Sequence, residues 1–268
     1  MKRVRRTERA VLLGLLALLA GAAEAQSLAA TCSPDSVPSG TGCMDRFEAS
    51  VWRVPSANTD NADLVAKIRQ GTATVAELIG ARATQLGTAG DDYAPCEDGG
   101  ANCADDLFAA SLPSVSPASF ATCFQAQEAC ANSGKRLPTS AEWQLAASGT
   151  PDPGPDDGVA DCNTASGSLP RTGARAKCVS SRGAFDMVGD VAEWVADWVP
   201  RPTACVGWAS FSDDDMCLAG ADATQAFPGA LVRGGAFAGL GGPSAGPVAV
   251  HPFTPIHSAI FIGFRCAR

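Results

Sequence analysis

Apolar and polar positions change their rhythm several times along this 268-residue chain. Residues 26–42 are small and polar, with Pro34, Pro38 and Gly40, and read as a tether without a core face. Residues 43–54 (CMDRFEASVWRV) alternate and predict a strand. Leu64, Val65, Ile68, Val75, Leu78 and Ile79 then recur at helical spacing within 62–86, interrupted near Gly71, which predicts two short helices. Residues 87–117 carry Cys96, Cys103 and three prolines and read as a cysteine-pinned loop region. Residues 119–133 lack Gly and Pro and predict a helix stopped by Gly134. Thr139 and Glu142 have capping-box spacing, which predicts a second helix over 141–148, ended by Gly149 and the breaker-rich PDPGPDDG. Beyond it only short strands are predicted, the last in LVRGGAF and IFIGFRCAR. Two mid-chain helices among loops and terminal strands argue for a loop-rich α+β unit and against a doubly wound sheet.

The N-terminus adds a destination. A basic MKRVRRTER, an apolar AVLLGLLALLAGAA and a small-x-small Ala23-Glu24-Ala25 predict a signal peptide over residues 1–25, and hence a periplasmic or secreted protein. Its apolar run is shorter than the ~20 residues of a spanning helix, so no stable membrane insertion is expected. Cleavage would remove five of the 20 basic and two of the 28 acidic residues, leaving 15 against 26. So acidic a chain, without a basic cluster, is no partner for nucleic acid. All 11 cysteines follow residue 25, in a compartment where disulfides persist. Cys32 and Cys43, Cys96 and Cys103, Cys162 and Cys178, and Cys205 and Cys217 are close in sequence, although spacing alone does not fix pairing. An odd number leaves one thiol over, or paired between chains.

One run suggests an ion. In residues 183–194, GAFDMVGDVAEW, the carboxylates of Asp186 and Glu193 flank a glycine turn whose carbonyls can point inward, as a hard cation requires. The competing reading makes Asp186 a turn cap and Glu193 a solvated helix residue. The segments CFQAQEACANSGKRLPTSAEWQLAASG, CNTASG, GAFDMVGDVAEWVADW, LVRGGAF and IGFRCAR resemble, in order, the formylglycine-generating enzyme (sulfatase-modifying factor) family. The resemblance implies one C-type-lectin-like, disulfide-stapled α+β domain over 43–268. It implies a structural calcium ion held by Asp186, the carbonyls of Gly189 and Val191, and Glu193. Asn163 would belong to a second ion site, but residues 171–177 depart from its acidic pattern. It also implies a Cys130–Cys266 disulfide, which makes Cys123 the odd thiol if the four local pairs form.

The family's oxidase holds copper(I) on two thiolates between the RGG segment and the closing GFRC strand. Here residues 234–264 contain no cysteine, so no copper is expected. Arg233, just before that interval, and His251 and His257 within it are the candidate cleft residues. The expectation is therefore a non-oxidase scaffold that binds a protein, peptide or glycan. The alternative is a metal-dependent oxidoreductase, with non-heme iron or another centre, acting on a protein or a small thiol. It would need both histidines and a remote carboxylate.

Overall fold

Two short antiparallel strands, β1 (Ser36–Ser39) and β2 (Gly42–Asp45), open the part of the chain described by the computed structural model, which covers residues 31–90, 92–104, 106–151, 159–200, 206–207, 215–216, 228–238 and 244–268. The expected signal peptide, the start of the tether, and Cys205 and Cys217 lie outside these residues. The tether expectation is corrected from Ser36 onward: Ser36, Val37 and Ser39 are buried, because the Cys32–Cys43 disulfide and strand pairing hold them against a helix.

The single strand expected over 43–54 is two strands, β2 and β3 (Ala49–Arg53), broken where Phe47 turns to stack on Phe185 at 5.2 Å. Helices α1 (Ala62–Gln70) and α2 (Val75–Gly80) follow, separated at Gly71, whose φ of 71° closes α1 in the left-handed conformation. Next come β4 (Thr84–Leu86) and β5 (Leu107–Ser111). Both pair antiparallel with β3. The loop expectation for 87–117 is thus corrected at β5. All five of its residues are buried, so LFAAS lacks the alternation that marks a half-exposed strand.

Strand β3 explains that burial. Ala49 and Val51 face one core with Leu107, Ala109, Trp194, Val232 and Phe264, whereas Trp52 joins Phe108, Leu64, Ile68 and Leu78 on the other side. Period-2 geometry therefore feeds two cores from one strand. Each fully buried Leu, Ile or Phe contributes about 1.5–3 kcal/mol.

Helix α3 (Cys123–Asn132) borders the first core, capped by a Thr122–Gln125 box. Helix α4 (Ser140–Ala146) starts in the Thr139–Glu142 box, and Trp143 and Ala146 pack on Val37, Met44, Val195 and Leu231 in a third core. The remaining strands are β6 (Ala192–Pro200), β7 (Val206–Gly207), β8 (Asp215–Met216), β9 (Pro228–Arg233), β10 (Val250–Phe253) and β11 (Ile262–Phe264). They form one sheet in the order β11-β6-β9-β10-β8-β7.

After β11 the chain returns to its beginning. Cys43 and Arg268 exchange backbone hydrogen bonds, and Ala267 pairs with Arg136. Disulfides join Cys32–Cys43, Cys96–Cys103, Cys130–Cys266 and Cys162–Cys178. The result is the loop-rich, disulfide-stapled α+β architecture that the sequence pattern predicts.

Candidate metal centre

The turn that precedes β6 is held open by backbone that glycine and short acidic side chains tolerate. Asp186, Gly189 and Asp190 have φ of 55°, 79° and 52°. A Cβ on Gly189 would lie 2.3 Å from the Asn163 carbonyl, against which the turn packs through an isolated parallel bridge. The spacing in GAFDMVGDVAEW therefore reflects a close backbone crossing as well as a candidate ligand loop.

Asp186 and Glu193 have different fates. Glu193, on β6, is 1% exposed and accepts from Arg265 Nε at 2.7 and 2.9 Å, from Arg265 Nη2 at 2.6 Å and from Trp143 Nε1 at 2.6 Å. Arg265 also donates to the carbonyls of Asp45 and Phe185 at 3.1 and 2.9 Å, tying the last strand to the turn and to β2. Glu193 is thus buried in a strand and bound to a guanidinium, not solvated on a helix.

Asp186 instead meets two carboxylates that sequence reasoning missed. One oxygen each from Glu48, Asp186 and Asp190 lies within 4.8 Å of the others, and all three residues are buried. Each is anchored at one oxygen. Glu48 Oε1 accepts from the Val191 amide at 3.1 Å, Asp186 Oδ2 from the Gly173 amide at 2.6 Å, and Asp190 Oδ1 from Asn163 Nδ2 at 2.7 Å. Glu48 Oε2 and Asp186 Oδ1 are buried and receive no hydrogen bond. An unsatisfied buried acceptor costs about 1–3 kcal/mol, and more when charged. Burial, and then the charges of Asp190, Asp186 and Glu193, push Glu48 well above the usual carboxylate range. Burial likewise pushes Asp186 up to about 6, against the Gly173 amide and Arg265. An all-oxygen set of this charge suits a hard divalent cation.

The remaining expectations separate. Asn163 Oδ1 accepts from the buried Arg175 at 3.2 Å while its Nδ2 donates to Asp190 at 2.7 Å, so both ends of this side chain already have protein partners. Arg233 is buried, lies 4.8 Å over the Trp143 ring and donates to Ser140 and Gln144, a placement that braces α4. His251 is buried in β10, and His257 stacks on Phe253 at 4.9 Å. Among the described residues neither histidine belongs to a cluster of three metal-ligating side chains. Cys123 is free and buried, its thiol pushed up to about 12 by desolvation. A cleft of ≈ 460 Å³ opens between Phe47, Ile68 and Leu112, and none of its lining residues falls in 234–260.

The Trp143, Asp186–Trp194 and Arg265 segments that build this centre also carry a sequence relationship. The profile of the "Sulfatase-modifying factor enzyme 1-like domain" matches residues 100–268. No curated protein matches the chain. Among solved structures it is similar to the Major Tropism Determinant M1 variant, with 17% identity and a TM-score of 0.48 over 89% of this chain and 53% of that one. It is similar to CarF, with 17% identity and a TM-score of 0.42 over 85% of each chain. It is also similar to Treponema denticola variable protein 1, with 18% identity and a TM-score of 0.35 over 57% of this chain and 70% of that one. The chain spans about half the length of the Major Tropism Determinant chains it matches. With the family profile covering more than half of its residues, the chain belongs to the sulfatase-modifying factor enzyme 1-like domain family.

Proposed function

We propose that the protein is an exported, non-oxidase member of this family: a calcium-stabilised scaffold that binds a protein, peptide or glycan. The observation that carries this reading is the missing thiolate pair. Residues 234–264 contain no cysteine, and the one free thiol among the described residues, Cys123, is buried with its pKa pushed up to about 12. The Cys123 amide donates to the Pro255 carbonyl, so this thiol borders the interval without supplying a thiolate there. One protonated thiol cannot replace two copper-binding thiolates.

Export is supported by the N-terminal sequence and by four disulfides, which persist in oxidising compartments. No helix among the described residues is long and apolar enough to cross a membrane. A binding role is supported by Ile256 and Ile260, 54% and 47% exposed beside the stacked Phe253–His257 pair.

The test is to incubate the purified protein with copper(I), oxygen and a cysteine-bearing sulfatase peptide. No aldehyde should form; turnover would overturn the non-oxidase assignment. A peptide and glycan array should return a saturable binder that is lost when Ile256 and Ile260 are changed to Asp. An array without a binder would leave a purely structural protein.

A further inference from the structure

Exposed apolar side chains gather where the start of α3 meets β6 and the segment before β11. Trp198 is 42% exposed, and its ring lies 5.9 Å from that of the half-buried Phe124. Trp198 and Phe253 each pair with Ala230, so they stand in one row across β6, β9 and β10. Residues 253–261 run along the same helix start, because the Cys123 amide donates to the Pro255 carbonyl and the Phe120 amide to the Ala259 carbonyl. They add the exposed Ile256 and Ile260 to this face.

An acidic turn borders it. Gly100 packs on Phe124, since a Cβ there would lie 3.1 Å from the Phe124 Cβ. Thr122 Oγ1 donates to the Asp98 carbonyl at 2.8 Å, and Gln125 Nε2 to the Cys96 carbonyl at 3.1 Å. The Cys96–Cys103 disulfide pins the same turn, and Arg53 donates to the Tyr93 and Ala94 carbonyls at 2.9 and 2.8 Å. The exposed Glu97 and Asp98 line a cleft of ≈ 410 Å³, and Glu128 stands one helical turn beyond Phe124. Residues 94–102, 119–131 and 253–262 together contain these three acidic residues and no Lys or Arg.

We propose that this face docks a basic peptide, whose apolar side chains cover Trp198, Phe124, Ile256 and Ile260 while its lysines or arginines meet Glu97, Asp98 and Glu128. The inference rests on the binding role proposed above and names the partner's chemistry. Charge selects the partner: carboxylates around an uncharged centre, on a chain of net charge −8, attract a cationic segment and repel an acidic one. The exposed tryptophan face is a further seat for an ammonium or guanidinium, and tryptophan is a residue type on which binding energy concentrates. The two isoleucines favour a peptide over a glycan, because sugar hydroxyls set against aliphatic side chains lose water without gaining hydrogen bonds. With the acidic turn already fixed by its disulfide and hydrogen bonds, little ordering accompanies docking.

The experiment titrates the purified full chain into a fluorescein-labelled peptide of alternating lysine and leucine with one tryptophan, and into the same peptide with glutamate for lysine, following anisotropy. The lysine peptide should saturate at one per chain, bind at least about tenfold tighter than the glutamate peptide, and weaken as salt rises. Glu97→Gln with Asp98→Asn should weaken it at least about fivefold, as should Trp198→Ala, with melting temperatures unchanged because all three side chains are exposed. Asp60→Asn with Asp63→Asn, an equal loss of exposed charge at the start of α1, should leave binding as it is. Equal weakening by the two double variants would show attraction by net charge alone and overturn the proposal. Equal affinity for the two peptides would overturn it as well. A glycan held at Ile256 and Ile260, with no lysine peptide bound, would overturn it and leave the binding role standing, whereas no binder of any kind would overturn both.

Discussion

Arg265 and Glu193, 72 positions apart, form a fully buried fork in which Arg265 Nε and Nη2 both donate to the same carboxylate. Removing one partner leaves a charge buried without its complement, a loss of about 3–5 kcal/mol. Arg265→Met or Glu193→Leu alone should therefore lower the denaturant midpoint severely. The double variant should lose much less than the sum of the two, and strictly additive losses would show that the pair is not coupled.

The cation-stripped protein should lose stability as pH rises. Burial pushes Asp186 up to about 6 in the folded protein and raises Glu48 as well. A carboxyl whose folded pKa exceeds its unfolded value binds more protons in the native state, so its contribution is complete below the unfolded pKa and fades as pH climbs through the folded one. The melting temperature without calcium should thus fall between about pH 4 and pH 7, and added calcium should remove most of that fall at pH 7. A stripped protein that grows steadily more stable over this window would contradict the raised pKa values.

Cys123 should be inert in the folded protein. Its thiol is buried and pushed up to about 12, so almost no thiolate exists at pH 8. Peptide mapping after iodoacetamide should find Cys123 unmodified under native conditions and fully alkylated in guanidinium. Native labelling within minutes would show access that the structure does not provide.

The Cys130–Cys266 disulfide closes the longest of the four described loops, with a sequence separation of 136. Chain entropy assigns it about 5 kcal/mol, against about 2.5 kcal/mol for Cys96–Cys103, whose separation is 7. Cys130→Ala with Cys266→Ala should therefore lower the unfolding midpoint by roughly twice as much as the matching pair at Cys96 and Cys103. An equal loss would indicate that strain or residual unfolded structure dominates.

Local signals specify structure where they are complete in themselves. The Thr139–Glu142 box, the break at Gly71 and the helix ending before Gly134 each depend on a few neighbouring residues. Strand β5 was not legible because both of its faces are buried and its alternation disappears. Half of the candidate site was likewise hidden. Asp186 stands beside a glycine turn and can be seen, whereas Glu48 lies 143 positions before the Val191 amide that orients it. Asp190 was in view, in the same turn, but nothing local distinguishes an inward Asp190 from a solvated one. Glu193 was in view through its spacing, whereas the Arg265 that binds its carboxylate lies 72 positions away, at the far end of the chain. Glu48 itself sits on a polar position of the alternating FEASV pattern, so it reads as an ordinary outward side chain.

The most direct measurement is anomalous diffraction from crystals of the full chain grown in calcium and soaked with a lanthanide. A single strong peak should lie at the turn before β6, within about 2.3–2.6 Å of the Asp186 carboxylate. No peak at this turn would contradict the account.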